Sequence, residues 1–143
     1  MPTPQPFVPS SASPGRTYRG TLARIADNIR LKRIYDPPSE DDGYRVLSTR
    51  YWPRGVPKSA VDDYTTKTAP SRALLREFKH EGLAWEDYVP LYLDEMQSEE
   101  AKSAIKRLAE RAKSGSMTLM CICEDARRCH RSLLKNLIIG AAR

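Results

Sequence analysis

Met117-Thr118-Leu119-Met120-Cys121-Ile122 is a nearly unbroken apolar run with no alternation of wet and dry positions. That pattern belongs to a β-strand covered on both faces, and strands of this kind occupy the interior of parallel sheets whose crossovers bury them. One such strand excludes a helical bundle and calls for an open α/β sheet. The flanking segments agree. Upstream, Ser98 reads as an N-cap with Glu99 and Glu100 in the first turn. Ala101, Ile105, Leu108 and Ala112 then share one helical face, and Gly115 lies just past the end. Lys102, Lys106, Arg107, Arg111 and Lys113 form the solvated face of that helix. Downstream, the polar stretch Glu124 to Arg128 leads into a last helix that turns Leu133, Leu134, Leu137, Ile138 and Ala141 toward the core.

Further back, Ile29 to Tyr35 alternates with a period of two and predicts a strand ending at Asp36. Asp36-Pro37-Pro38-Ser39-Glu40-Asp41-Asp42-Gly43 stacks turn formers and acids, a surface loop. Tyr44 to Trp52 predicts a second strand, stopped by Pro53, which has no amide hydrogen to give a ladder. Ser71 after Pro70 caps a helix carrying Leu74, Leu75 and Phe78, and Gly82 ends it. Trp85, Tyr88, Tyr92 and Met96 fall on one stripe that reads as core, with Pro90 expected to kink the helix or start another.

The 143 residues, 40% hydrophobic and 29% charged, suit one globular domain rather than two. Residues 29–143 are expected to form it. Residues 1–28 read as a largely disordered extension, because Pro2, Pro4, Pro6, Pro9 and Pro14 with Ser10, Ser11 and Ser13 bury too little to offset their ordering entropy. No run approaches the ~18 apolar residues of a membrane span, and no apolar signal core opens the chain, so a cytoplasmic protein without a membrane partner is expected. Cys121, Cys123 and Cys129, odd in number and clustered, do not make a secreted disulfide framework. The formal charge of +6 suits a phosphate-bearing small molecule or nucleic acid, and by itself decides nothing.

Nucleophile, titratable base and fixed positive charge converge only in the segment from Cys121 to Arg131. It lies between the buried strand and the last helix, where ligands of open α/β sheets bind and helix N-termini offer free amides. Cys129 falls at the first helical turn beside Arg128, His130 and Arg131, surroundings that favour the thiolate; a buried inert thiol is the alternative. His130 is either a base or a core histidine bonded to a main-chain carbonyl. Arg131 suits an anion or a pairing acid. Cys121, Cys123, Cys129 and His130 also raise the question of zinc. The usual two-to-four-residue spacers are missing, Cys121 belongs to a buried strand, and Cys129 and His130 diverge on a helix, so no metal and no cofactor is expected. Arg50 and Arg54, around Trp52-Pro53 and before Gly55, form a second candidate anion clamp, unless they anchor the Glu40, Asp41 and Asp42 loop instead.

Lys32-Arg33-Ile34-Tyr35-Asp36-Pro37-Pro38 through Leu47, then Arg50-Tyr51-Trp52-Pro53-Arg54-Gly55-Val56, resembles the opening motif of the YeaO-like proteins, domain of unknown function 488. Ala69-Pro70-Ser71, Leu74 to Phe78, Trp85, Tyr92 and Cys129-His130-Arg131 resemble the rest in order, so the likeness runs from about Ile29 to the C-terminus. It implies a Rossmann-like three-layer α/β domain, an open, mainly parallel sheet with helices on both faces, and no agreed activity. Arg50, Arg54, Cys129, His130 and Arg131 match its motif positions. Tyr64 stands where members often carry tryptophan, and Cys123 where glutamate is common. Three functions compete: an enzyme acting on a phosphate-bearing small molecule or nucleic-acid component through Cys129 and His130, with Arg50, Arg54 and Arg131 holding the anion; a non-catalytic anion, nucleotide or nucleic-acid binding module; or a Cys-His-Arg segment that is purely structural. The apolar last helix and the Ile29 edge strand leave a homodimer open.

Overall fold

A computed structural model describes residues 24–142. The proline-rich stretch before residue 24 lies outside the described residues. Residues 24–28, assigned by sequence to the extension, are helical, and Ile25 is buried in the main core. The folded part therefore begins before the first strand, because a single apolar residue in this short segment finds a place against the sheet's helices.

Four strands, β1 (Ile29–Arg33), β2 (Tyr44–Ser48), β3 (Asp63–Thr65) and β4 (Met117–Cys121), form one sheet in the order β1-β4-β2-β3 with every pair parallel. The apolar run is the interior strand: all five residues of β4 are buried, with β1 on one side and β2 on the other. β3 is the element that periodicity misses, since Asp63-Tyr64-Thr65 is too short to show a period and carries no aliphatic residue. It forms the edge beside β2. The first two strands end earlier than the sequence predicts, at Arg33 and Ser48. Thr49 to Pro53 leaves the sheet instead, with Thr49 Oγ1 donating to the Tyr51 carbonyl at 2.7 Å.

The helices α1 (Arg72–His80), α2 (Trp85–Glu95), α3 (Glu99–Ser114) and α4 (His130–Ala141) follow the expected punctuation. Ser71 and Ser98 cap α1 and α3 by accepting from Leu74 N and Ala101 N. Pro90 neither kinks α2 into two pieces nor begins a new helix; it lies exposed inside one continuous helix. Its missing donor and its ring face water there rather than the packed side.

Alternation along the strands divides the sheet into two faces. Ile29, Val46, Met117 and Leu119 pack with Tyr88, Tyr92, Leu108, Leu134 and Ile138 of the α-helices. On the other face Ile34, Leu47 and Met120 form a smaller cluster covered by Val56 and Val61. Three layers result, the thinner one built from connecting chain and the 3-10 turns Glu40–Asp42 and Lys58–Ala60.

The return from β1 to β2 is organised by one carboxylate. Asp42 is 1% exposed and accepts from Lys32 Nζ at 3.0 Å, from Arg45 and from the Ser39 amide. Thr118 on β4 donates to the Asp42 carbonyl at 2.7 Å, fixing the turn to the central strand. Gly43 then takes φ +62, and a Cβ there would lie 2.2 Å from the Ser116 carbonyl oxygen, so only glycine lets the chain pass. The acids of this loop are thus held by Lys32, Arg45 and, for Asp41, Arg30 at 3.7 Å, and not by Arg50 or Arg54.

Candidate functional site

Because every strand is parallel, all C-terminal ends meet at one rim, and the chain leaving β4 reaches α4 across it. The rim encloses a cavity of about 70 Å³ between the ends of β2 and β4, the N-terminus of α4 and one side of α1. Its walls are mostly apolar, from Tyr51, Leu75, Phe78 and Tyr88, and its polar end is made by Cys121, Cys123, Cys129 and His130.

The three sulfur atoms lie within 4.8 Å of one another. This differs from the expectation that Cys121, on the buried strand, would stand apart. β4 ends at Cys121, so the backbone turns there and brings Cys123 back to 3.7 Å, sulfur to sulfur. Two cations touch the cluster: Lys79 Nζ is 3.1 Å from Cys123 Sγ, and Arg131 Nε is 3.3 Å from Cys129 Sγ. The hydrogen bonds of Cys121 and Cys123, with Arg131, hold the Cys129 thiol well below its usual range, although burial works the other way. Cys121 is pushed up, first through its bond to Cys123 and then through its bond to Cys129 and burial, and serves as donor. Burial works to lower Lys79, but Cys123 and its neighbouring sulfurs outweigh this and raise it, so its ammonium stays charged. Three sulfurs at this spacing could supply a thiophilic ion with ligands. What the chain itself directs at them is an ammonium and a guanidinium.

His130 is 4% exposed. Its Nε2 lies 2.8 Å from the Ser48 carbonyl, which can only accept, so the proton resides on Nε2 and Nδ1 is left as an acceptor. That Nδ1 is 3.6 Å from Cys129 Sγ. Burial brings the imidazole down to about 4, against a raising contribution from the Ser48 carbonyl, so it is neutral at neutral pH. His130 is thus a core histidine bonded to a main-chain carbonyl through one ring nitrogen, and its other ring nitrogen faces the Cys129 sulfur.

The anticipated arginine clamp does not assemble. Arg131, 1% exposed, points inward; besides Cys129 it donates to the carbonyls of Lys32 and Cys123. Arg50 reaches the cavity wall but spends its Nε and one Nη on the carbonyls of Pro70, Thr66 and Ala69. Arg54 lies exposed on an outer loop whose carbonyl accepts from Tyr35. Sequence reasoning missed Lys79, Tyr51 and Phe78, which arrive from separate segments. Only the helical periodicity of α1, which places Leu75, Phe78 and Lys79 along one side, hinted at them.

Residues 29–141 match the family model described as the active DUF488-N3 subclade, DUF denoting a domain of unknown function. The chain is 36% identical over 109 residues to the uncharacterized protein YeaO of Escherichia coli (strain K12), spanning 75% of this chain and 93% of that one. Over 114 residues it is 27% identical to the uncharacterized protein Rv3073c of Mycobacterium tuberculosis (strain ATCC 25618 / H37Rv), spanning 78% and 94%. The same figures hold for the uncharacterized protein Mb3100c of Mycobacterium bovis (strain ATCC BAA-935 / AF2122/97). No solved structure matches.

Proposed function

The chain belongs to the YeaO-like DUF488 family, and from that premise we propose that it is an enzyme in which Cys129 Sγ is the nucleophile and His130 Nδ1 the proton acceptor, acting on a phosphate-bearing small molecule or nucleic-acid component. The observation that carries this reading is the environment of Arg131. A guanidinium taken out of water is costly unless a negative charge meets it. Among the described residues no carboxylate pairs with it; its partners are two neutral carbonyls and the sulfur of Cys129. A Cys129 thiolate supplies the missing charge. The thiols of Cys121 and Cys123 complete its solvation, as donors aimed at an anion do elsewhere. The family model's description as active accords with a catalytic member.

In this scheme the sulfur attacks an electrophilic centre in the cavity, and the substrate's leaving group departs as the sulfur bond forms. His130 then takes a proton from the water that displaces the sulfur. The test is site-resolved alkylation of Cys121, Cys123 and Cys129 across pH, with and without phosphate or a nucleotide. Cys129 is expected to react with a profile well below the free-thiol value of ~8.5 and to be protected by the anion.

A second reading is favoured by a different observation: His130 and Arg131 bond the carbonyls of Ser48, Lys32 and Cys123, tying α4 to the sheet. If the segment is only such a tie, Cys129 stays inert at every pH and substitutions lower the melting temperature alone.

A further inference from the structure

We propose that the rim around the cavity mouth is a docking platform for single-stranded nucleic acid. This rests on the reading of the cavity as the place where substrate enters, and narrows that substrate to a strand with unpaired bases.

The large apolar side chains exposed among the described residues are Tyr35, Tyr51, Trp52, Tyr64, Leu91 and Ile122. Tyr35, Tyr51, Trp52 and Ile122 lie in the chain that follows the C-terminal ends of β1, β2 and β4, and Tyr64 lies on the edge strand β3 against Trp52. Tyr51 and Ile122 line the cavity mouth. Arg33 Nε donates to the Ile122 carbonyl at 3.2 Å and its guanidinium lies over the Tyr35 ring at 5.4 Å. Tyr35 in turn donates to the Arg54 carbonyl at 2.9 Å. Across the mouth, Arg72 lies over the Tyr51 ring at 5.8 Å, and the adjacent Trp52 meets Tyr64 edge to face at 5.2 Å. Rings and guanidinium groups thus lie side by side on both sides of the mouth.

Arg33, Arg54 and Arg72 form no ion pair among the described residues, whereas the cations of the basic helix α3 are largely spent. Lys102 meets Glu99, Arg107 meets Asp63, Lys113 meets Glu110, and Arg111 covers Tyr44 at 4.3 Å. Unpaired positive charge and exposed aromatic surface thus coincide at the rim, whereas α3 carries no aromatic residue and, of its cations, only Lys106 has neither an ion pair nor a ring contact among the described residues. Phosphates pair with guanidinium groups, and unstacked bases lie on aromatic faces. A duplex keeps its bases stacked and an acidic peptide has none, so neither would use the rings.

The experiment is fluorescence anisotropy of the full chain with labelled DNA and RNA single strands of about a dozen nucleotides, a matched duplex and poly-glutamate. Single strands are expected to bind with a salt-dependent affinity that Tyr51→Ala and Arg72→Ala each weaken about tenfold and Arg54→Glu weakens further. All three positions are exposed, and unchanged melting temperatures will show that the variants fold. No strand binding, equal binding of duplex or poly-glutamate, or affinity indifferent to these substitutions overturns the proposal. Alkylation of Cys129 in the same preparation separates the two readings. Strand binding with an inert thiol leaves the platform standing and removes the nucleophile; a reactive thiol without strand binding does the reverse.

Discussion

Arg131 Nε lies 3.3 Å from Cys129 Sγ across the first turn of α4, and both side chains are buried. The Lys32 and Cys123 carbonyls hold the guanidinium in place beside the sulfur, which lines the cavity. This makes the protonation of Cys129 the quantity on which the site turns.

Replacing the cation should therefore move the sulfur. Arg131→Met is expected to shift the Cys129 alkylation profile upward toward ~8.5 and slow its rate at neutral pH by about tenfold or more. Arg131→Lys should restore part of the shift but not the melting temperature, because one ammonium cannot reach the Lys32 and Cys123 carbonyls together. Mass spectrometry of alkylated peptides reads the first effect and calorimetry the second.

Removing a donor has a smaller effect of the same sign. Cys121→Ala deletes one S–H that holds Cys129 down, so the profile should rise by less than in Arg131→Met. Cys129→Ser should abolish the fast-reacting thiol outright while Cys123, half-buried, still reacts slowly.

Acid should unfold the protein in two stages. His130 faces Cys129, Arg131, Ser48 and Tyr92, with Lys79 and Cys123 nearby, and burial holds it at about 4, below its ordinary value of 6.5. Between those values the unfolded chain binds a proton that the folded chain refuses. The contribution of His130 is fully present above pH 6.5 and is lost as pH drops to about 4, by about 3 kcal/mol in all. The second stage belongs to Asp42. Burial raises its carboxyl, but Lys32, the Ser39 amide and Arg45 outweigh this and hold it below 3.8, so its contribution persists until still more acid conditions. Urea midpoints across pH should show both stages, and His130→Gln should flatten the first alone.

Asp42→Asn leaves Lys32 and Arg45 facing an amide, with their side chains only 19% and 12% exposed. Breaking a pair of this kind costs about 3 kcal/mol. Denaturant unfolding should show that loss, and Lys32→Met in the same background should recover part of it.

Gly43→Ala forces a side chain into a positive-φ position and against the Ser116 carbonyl. The turn cannot yield without breaking the Tyr44 N to Ser116 O bond of 3.0 Å, which starts β2 beside β4. A loss of several kcal/mol, or no soluble protein at all, is expected. Gly55→Ala, also at positive φ but with open space around its Cβ position, should cost only about 1 kcal/mol.

The parallel sheet and the capped helices were legible because each leaves a local trace. An apolar run marks β4, and serine caps mark α1 and α3. β3 left none, being three residues long and held only by β2. The Cys129, His130 and Arg131 cluster was legible as a composition, but its partners were not. The Ser48 and Lys32 carbonyls that anchor it are main-chain atoms brought by strand order, which no side-chain pattern encodes. For the same reason the direction of Arg131 was hidden: it faces a sulfur within its own turn rather than a ligand outside.

The strand order has a consequence for how the protein comes to be made. β1 and β2 leave the ribosome early, yet Ile29 and Tyr44 both pair with Met117, near the end of the chain. Until β4 is synthesised and slots between them, both strands have unsatisfied edges and the apolar cluster has no centre. Native contacts of such long sequence separation slow the search for the folded state and expose the intermediate to self-association. Truncation before the central strand should yield an aggregating nascent chain, and the last quarter of the polypeptide, which carries the thiols, should also set the moment at which the rest can fold.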